Sequence, residues 1–342
     1  MIAHRLVAAL ATLFALAACS ENPLAPDANA NFSPNSPSFS RGSSSYTFTE
    51  LAVRDATGNV ISQNTLPFGI NAGGEIVGAY TTGSGCLTTP PCTKGFKLID
   101  GVYTTVVYHD PITGVDAPFT QVRGVSPDGD VVGTYRMAGE PANNLHGFLL
   151  TTSGAFSRVE HPDHLNTVAQ RILPDGTILG CYHEGNQTDT MHGMMSSRAG
   201  ITSLEDNPGS MENGGTPSGG RLTGIAMDKN GIHGFLRESG ILTPFDDPYG
   251  IGTTQAWDMS PNGTIVGFYV QGVGTAARTH GFTLDRARVV GGAVDGTYTT
   301  IDYPGSNFTD IFGTNASGAI VGRFRVAGSS AAHGYIATRN AE

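Results

Sequence analysis

Six stretches of this 342-residue chain share one nine-residue template, and no other feature restricts its fold as much. They read INAGGEIVG ending at Gly78, VSPDGDVVG at Gly133, ILPDGTILG at Gly180, TPSGGRLTG at Gly224, MSPNGTIVG at Gly267 and TNASGAIVG at Gly322. In every copy a second glycine stands four places earlier: Gly74, Gly129, Gly176, Gly220, Gly263 and Gly318. The copies follow one another at intervals of 43 to 55 residues, a period that signals stacked supersecondary units rather than independent domains. Five copies carry a threonine thirteen residues before the last glycine (Thr65, Thr120, Thr167, Thr254, Thr309). In the fourth, Met211 occupies that place.

Each unit divides into four strand-like pieces. The first runs from the threonine into the template, as in TQVRGV. A turn such as SPDG or NAGG follows, in which glycine supplies a positive φ at little cost. The second piece is VVGTY and its equivalents, with an aromatic two places after the glycine except at Ala226. A His-Gly-aromatic piece forms the third (His146, His192, His233, His280, His333), with KGF as a degenerate first copy. The fourth ends in sequences such as TTVVYHDP or YTTIDYPG. Four short antiparallel strands and a step to the next unit is the plan of a propeller blade.

The chain ends supply an independent sign. The sixth unit stops after HGYIATR and lacks its fourth piece, whereas YTFTELAV at residues 46–53 matches that piece and precedes the first unit. The expected fold is therefore all-β: a six-bladed β-propeller of four-stranded antiparallel blades over residues 46–338, closed by the N-terminal strand completing the last blade, with 339–342 as a tail. The units, as in GINAGGEIVGAY followed by KGF or HGF, resemble the HAF-type probable extracellular repeat family, with glycine in place of the central alanine of its His-Ala-Phe core. The resemblance spans about Thr65 to Tyr335. It implies an exported repeat protein and assigns no activity.

Composition agrees. The chain holds 47 glycines and 19 prolines, only 14% charged residues, and no window of helical apolar periodicity beyond the extreme N-terminus. A net charge of −10 with three lysines and no basic patch excludes a nucleic-acid partner. Residues 1–18 read as an export signal: Arg5, an apolar run from Leu6 to Ala15, then LAAC ending at Cys19. The apolar run is too short to span a bilayer. The stretch resembles a bacterial lipoprotein signal, which implies acylation of Cys19, and Ser20 after it resembles lipoproteins passed on to the outer membrane. Residues 19–45, rich in Ser, Asn and Pro, are expected to form a disordered tether. Cys86 and Cys92 enclose a proline-bent loop and read as a local disulfide, and Cys181 as a small buried apolar side chain.

The five histidines of the third piece are not candidates for one metal site. Third-strand positions lie at roughly 16 Å from a propeller axis, so neighbouring equivalents are about as far apart, whereas a metal needs ligands at ~2.1 Å. They read as scaffold, each imidazole bonding a backbone group. His109, His161, His164 and His183 follow no register. No metal or cofactor is expected.

A ligand would meet the innermost strand. Ten residues before each last glycine stand Phe68, Arg123, Gln170, Gly214, Trp257 and Phe312. One residue later come Gly69, Gly124, Arg171, Gly215, Asp258 and Gly313. Alternation allows only one register to face the axis. Arg123, Gln170, Trp257 and Phe312 would offer a platform and hydrogen bonds to a sugar or aromatic ligand; the alternative is that they pack between blades. No G-x-S-x-G, H-E-x-x-H or phosphate loop occurs, and adjacent Asp246 and Asp247 would point to opposite faces. No catalytic set is therefore assigned. The expected function is that of a monomeric, surface-tethered binding module for a glycan or a protein, touching the membrane through its lipid alone. A propeller hydrolase or lyase around Arg123, Arg171, Asp258 and Asp310, or a structural envelope protein, is the alternative.

Overall fold

The computed structural model describes residues 39–41, 46–82, 93–141, 144–164, 166–183, 191–197, 200–204, 209–217 and 220–340. The fold is all-β, and the one helical turn among these residues is the three-residue Gly274–Ala276. Antiparallel pairing groups the strands into four-stranded units that follow the repeats. Unit one comprises Asn64–Ile70, Ile76–Thr81, Thr93–Ile99 and Val102–Val106; unit two, Phe119–Val125, Val131–Arg136, His146–Leu150 and Phe156–Val159. Unit three comprises Asn166–Ile172, Ile178–His183, Met191–Ser197 and Gly200–Ser203; unit four, Ser210–Gly215, Arg221–Asp228, Gly231–Glu238 and Ile241–Phe245. Unit five comprises Gln255–Met259, Ile265–Gln271, Arg278–Val290 and Ala293–Ile301. Unit six holds Ser306–Thr314, Ile320–Val326 and His333–Arg339, and its fourth strand is Tyr46–Leu51, paired antiparallel from Tyr46 opposite Arg339 to Leu51 opposite Gly334.

The repeated residues have local causes. In five units the turn glycine sits at φ between +78° and +88° and its N–H closes the turn, as from Gly129 to the Ser126 carbonyl. The last glycine of the template faces the first strand so closely that a Cβ on Gly180 would stand 1.8 Å from the Val168 carbonyl oxygen, and the other five copies show the same approach. Any side chain there would push the two inner strands apart. The threonine column caps the connection arriving from the preceding unit: Thr120, Thr167, Thr254 and Thr309 accept the backbone N–H of Tyr108, His161, Asp247 and Tyr303. Third-strand aromatics (Phe96, Phe148, Phe235, Phe282, Tyr335) are fully buried, and all but Phe235 belong to apolar clusters between sheets.

Every first strand carries one extra residue opposite its second strand, a β-bulge at Phe68, Arg123, Gln170, Asn213, Trp257 and Phe312. This corrects the column assignment in unit four. Its turn is one residue longer, so Gly224 pairs with Glu212, and the equivalent of Trp257 is Asn213, not Gly214. The same shift moves Ser210, not Met211, into the threonine column. Within the segment 19–45, Phe39–Arg41 pairs in parallel with Gly296–Tyr298 and adds a strand to unit five. The fourth strand of that unit is nine residues long and leaves an edge open for pairing.

The topology gives the assembly two distinct faces. One bears the hairpin turns between first and second strands. The opposite one, the mouth face, bears the second-to-third connections and those that enter the next unit.

Candidate functional site

The first strands converge on one side chain. The extra residue of a bulge leaves its carbonyl outside the ladder, and five such carbonyls meet the guanidinium of Arg171. Nε donates to the Asn213 carbonyl at 3.2 Å, Nη1 to those of Phe68 and Arg123 at 3.3 and 3.1 Å, and Nη2 to those of Trp257 and Phe312 at 3.3 and 2.9 Å. One residue of unit three thus reaches all five other units. A guanidinium has five N–H donors in a fixed plane, so donors and acceptors match one to one. Asp258 adds the counter-charge, its Oδ1 lying 3.2 Å from Nε, and its carboxylate also accepts the N–H of Met259 and Thr314. Burial raises the Asp258 carboxyl to about 6, outweighing Arg171 and the two backbone donors.

The ring at this level is Gly69, Gly124, Arg171, Gly214, Asp258 and Gly313. Its glycines are required by space. A Cβ on Gly69 would lie 2.9 Å from Arg171 Nη1, and one on Gly214 2.6 Å from Asp258 Oδ1. The axis is therefore filled, and its one ion pair is consumed in holding the units together.

Strict alternation fails at the bulge, so the neighbouring register turns inward as well. Phe312 packs against Phe68 and Trp257 with centroids 5.3 and 4.9 Å apart, and Arg123 lies 5.2 Å over Phe68 while donating to the Oε1 atoms of Gln170 and Gln121. The predicted ligand residues are thus brought together, but as core. Arg123, Gln170, Trp257 and Phe312 are each exposed by 2% or less, and no ligand reaches them without opening the axis. The burial of Trp257 leaves its Nε1 without a partner.

Toward the mouth face the inner wall changes character. Asp310 is buried and pairs with its cross-strand neighbour Arg323 through Nε and the backbone N–H. Two residues further along, Arg325 lies 4.2 Å over Phe308, and on unit two Arg136 lies 5.1 Å over Phe119. Sequence reasoning missed Arg323 and Arg325. The signal was RFR in the sixth second strand, where the other units carry no alternating arginines.

Four of the five repeated histidines bond carboxylates of their own unit, correcting the expectation of backbone partners. His146 lies between Glu160 and Glu140, both at 2.9 Å, and His233 between Asp246 at 2.9 Å and Asp228 at 3.1 Å. His280 meets Asp302 at 2.9 Å, and His333 meets Glu50 of the N-terminal strand at 2.8 Å. Four of the rings stack on a second-strand aromatic, His192 on Tyr182 among them. Burial opposes the charged form of His146, but the hydrogen bonds of Glu160 and Glu140 outweigh it and raise its pKa; Asp246 and Asp228 act likewise on His233. His161 and His164, which follow no register, also stack on Tyr182. No group of three or more metal-ligating side chains with suitable geometry occurs among the described residues.

Cys181 is buried in the inner cluster, as the sequence indicates, and is also disulfide-bonded. Cys19, Cys86 and Cys92 lie outside the described residues. A polar cleft of about 120 Å³ opens between units five and six on the turn face, lined by Tyr46, Asn262, Asp285 and Arg339 among others. Its Asp285 is already satisfied by Arg339 and Thr264.

No family model matches the chain, so the HAF-type resemblance rests on the repeat motif alone. No curated protein matches it either. Among solved structures it is similar to TolB from Acinetobacter baumannii, at 14% identity and TM-score 0.47 over 78% of this chain and 64% of that one. A putative TolB from Agrobacterium tumefaciens gives 16% and 0.45, over 67% and 76%. The β-propeller domain of the Trilobed protease from Pyrococcus furiosus gives 8% and 0.46, over 82% and 95%.

Proposed function

We propose that this chain is an exported six-bladed β-propeller, closed by its N-terminal strand, that serves as a monomeric interaction module on the bacterial outer membrane or cell surface. An acyl chain on Cys19 is its only contact with the lipid. The pairing of Tyr46–Leu51 with Gly334–Arg339 supports closure, as do the bonds from Thr65 N–H to the Ala332 carbonyl and from Asn315 Nδ2 to the Asn71 carbonyl, which join the first and last units.

The observation that carries the interaction reading is the exposed apolar side chains on the mouth face. Ile112, Ile251 and Val273 are 78%, 73% and 86% exposed, and Val60, Val115 and Tyr249 are exposed on other connections of the same face. Apolar side chains exposed on several connections of one face offer a candidate contact surface. It also favours protein over glycan. Sugars are held on flat aromatic faces, and here Trp257, Phe68 and Phe312 are buried while the exposed residues are mostly aliphatic. Catalysis finds no support, because Arg171 and Asp258 are spent on carbonyls and on each other. The structural envelope reading is favoured by one observation, the filled axis.

A cross-linking comparison separates these readings. Wild-type protein should give a defined cross-linked partner on intact cells, lost in an Ile112→Ser, Ile251→Ser, Val273→Ser variant and kept in a Val102→Ser, Ile241→Ser variant of the turn face. Equal loss in both variants, or no partner at all, favours the structural reading. A strong glycan-array signal would overturn the choice of protein.

A further inference from the structure

The inner wall of unit six holds two guanidinium groups and one carboxylate. Arg323 and Arg325 alternate along one strand and so point to the same side. Both lie against one ring, their Cζ atoms 5.5 and 4.2 Å from the centroid of Phe308. Asp310 neutralises Arg323 through Nε at 2.6 Å and sits fully buried beneath it. Arg325 feels buried Asp310 only through space, and Asp310 is already paired with Arg323. No carboxylate among the described residues pairs with it, and its Nε is shielded from solvent without a hydrogen-bond partner. Arg323, 8% exposed, likewise leaves its Nη1 unpaired. Burial and the neighbouring Arg323 together lower the Arg325 pKa to about 10, the direction expected where a cation lacks a counter-charge.

Leaving a guanidinium half out of water beside a second one is unfavourable unless an anion arrives. Aromatic faces return only part of that cost. The two orphaned donors belong to adjacent guanidinium groups of one wall, and Phe308 forms its floor at the mouth end of the first strand.

We propose that Arg325, backed by Arg323 on the Phe308 platform, binds a carboxylate of a protein partner docked on the mouth face. The local balance of two cations and one anion leaves a single positive charge, which a monoanion neutralises. A phosphate dianion would overcompensate beside buried Asp310, in a protein of net charge −10. A planar carboxylate also matches the fork of a guanidinium. A protein source follows from the aliphatic side chains around the mouth. The assignment rests on the interaction reading above, yet it is read by direct titration, so its failure leaves the cross-linking result standing and the reverse holds too.

The test is calorimetric titration of the purified full chain at low salt with N-acetylphenylalanine, its neutral methyl amide, glucuronate and inorganic phosphate. N-acetylphenylalanine should bind saturably, and the amide should not. Arg325→Gln should weaken binding by about tenfold or more, and Arg325→Lys should restore it in part. Arg288→Gln, at an exposed pair with Asp295, should change nothing. Arg325→Gln should unfold at the same temperature as wild type or higher, because it removes an uncompensated cation. A markedly lower unfolding temperature would make Arg325 a structural residue and overturn the site. So would absent binding, or binding indifferent to Arg325→Gln. Tighter binding of glucuronate would overturn the protein source, and tighter binding of phosphate the carboxylate.

Discussion

Arg171 Nη2 lies 2.9 Å from the carbonyl oxygen of Phe312, a residue 141 positions further along the chain. Four other units present carbonyls to the same guanidinium, so one side chain ties the inner strands together. Removing it orphans five buried acceptors and strands Asp258. Arg171→Met should cost about 3–5 kcal/mol, read by urea unfolding, and Arg171→Lys should recover little because an ammonium has three donors without the planar fork. A loss below about 1 kcal/mol would show that the carbonyls are satisfied by water instead.

The N-terminal strand should be indispensable to solubility. Phe48 packs on Tyr303 and Tyr335 with centroids 5.2 and 5.3 Å away. Deleting residues 46–51 bares the edge of Gly334–Arg339 and this aromatic face. The truncated protein should aggregate on size-exclusion chromatography and melt well below wild type. A monomeric product with an unchanged melting temperature would refute the latch.

Stability should peak in mildly acidic solution. The folded pKa of His146 and His233 is raised, so their contribution is complete below about 6.5 and is lost as pH climbs through the folded values. Buried Glu212 acts in the same sense: burial lifts its carboxyl to about 7 despite Arg237, so its contribution is complete below 4.5 and is lost as pH rises to about 7. The acid limb belongs to Asp110, held at about 2 by the N–H groups of Thr113 and Ile112, whose contribution fades as pH falls below about 4. Unfolding midpoints across pH 3 to 9 check the profile. Glu212→Gln should flatten its alkaline side, and a slope unchanged in that variant would clear Glu212 of the effect.

Cys181 lies in the inner cluster and is disulfide-bonded. Cys181→Ser, or reduction of the wild type, should lower stability by about 2–5 kcal/mol. Equal melting curves with and without reductant would argue against a bridge in the native protein.

Much of the fold was legible because its determinants are local. The turn glycines, the threonine caps and the His-Gly-aromatic pieces each act within a few residues or across one strand pair, so each leaves a column in the repeat. The match of residues 46–53 to the missing fourth piece of unit six was legible for the same reason. The bulge was not. An extra residue in a strand changes no residue type, and it alone decides that Phe68, Trp257 and Phe312 turn inward beside Arg171 and Asp258 instead of alternating with them. The longer turn of unit four hid for the same reason, its Ser210 standing one place from where the threonine column pointed.

The repeat by itself determined that the chain makes four-stranded antiparallel units and that its two ends belong to one sheet, because hydrophobic alternation and turn chemistry are properties of short segments. Only the tertiary structure decided what stands at the centre. Five carbonyls from residues far apart in the chain converge on Arg171, and its burial with Asp258 becomes tolerable only once all of them are in place. The same convergence buries the one tryptophan and leaves Arg325 at the mouth with a charge that nothing in its own strand pair can balance.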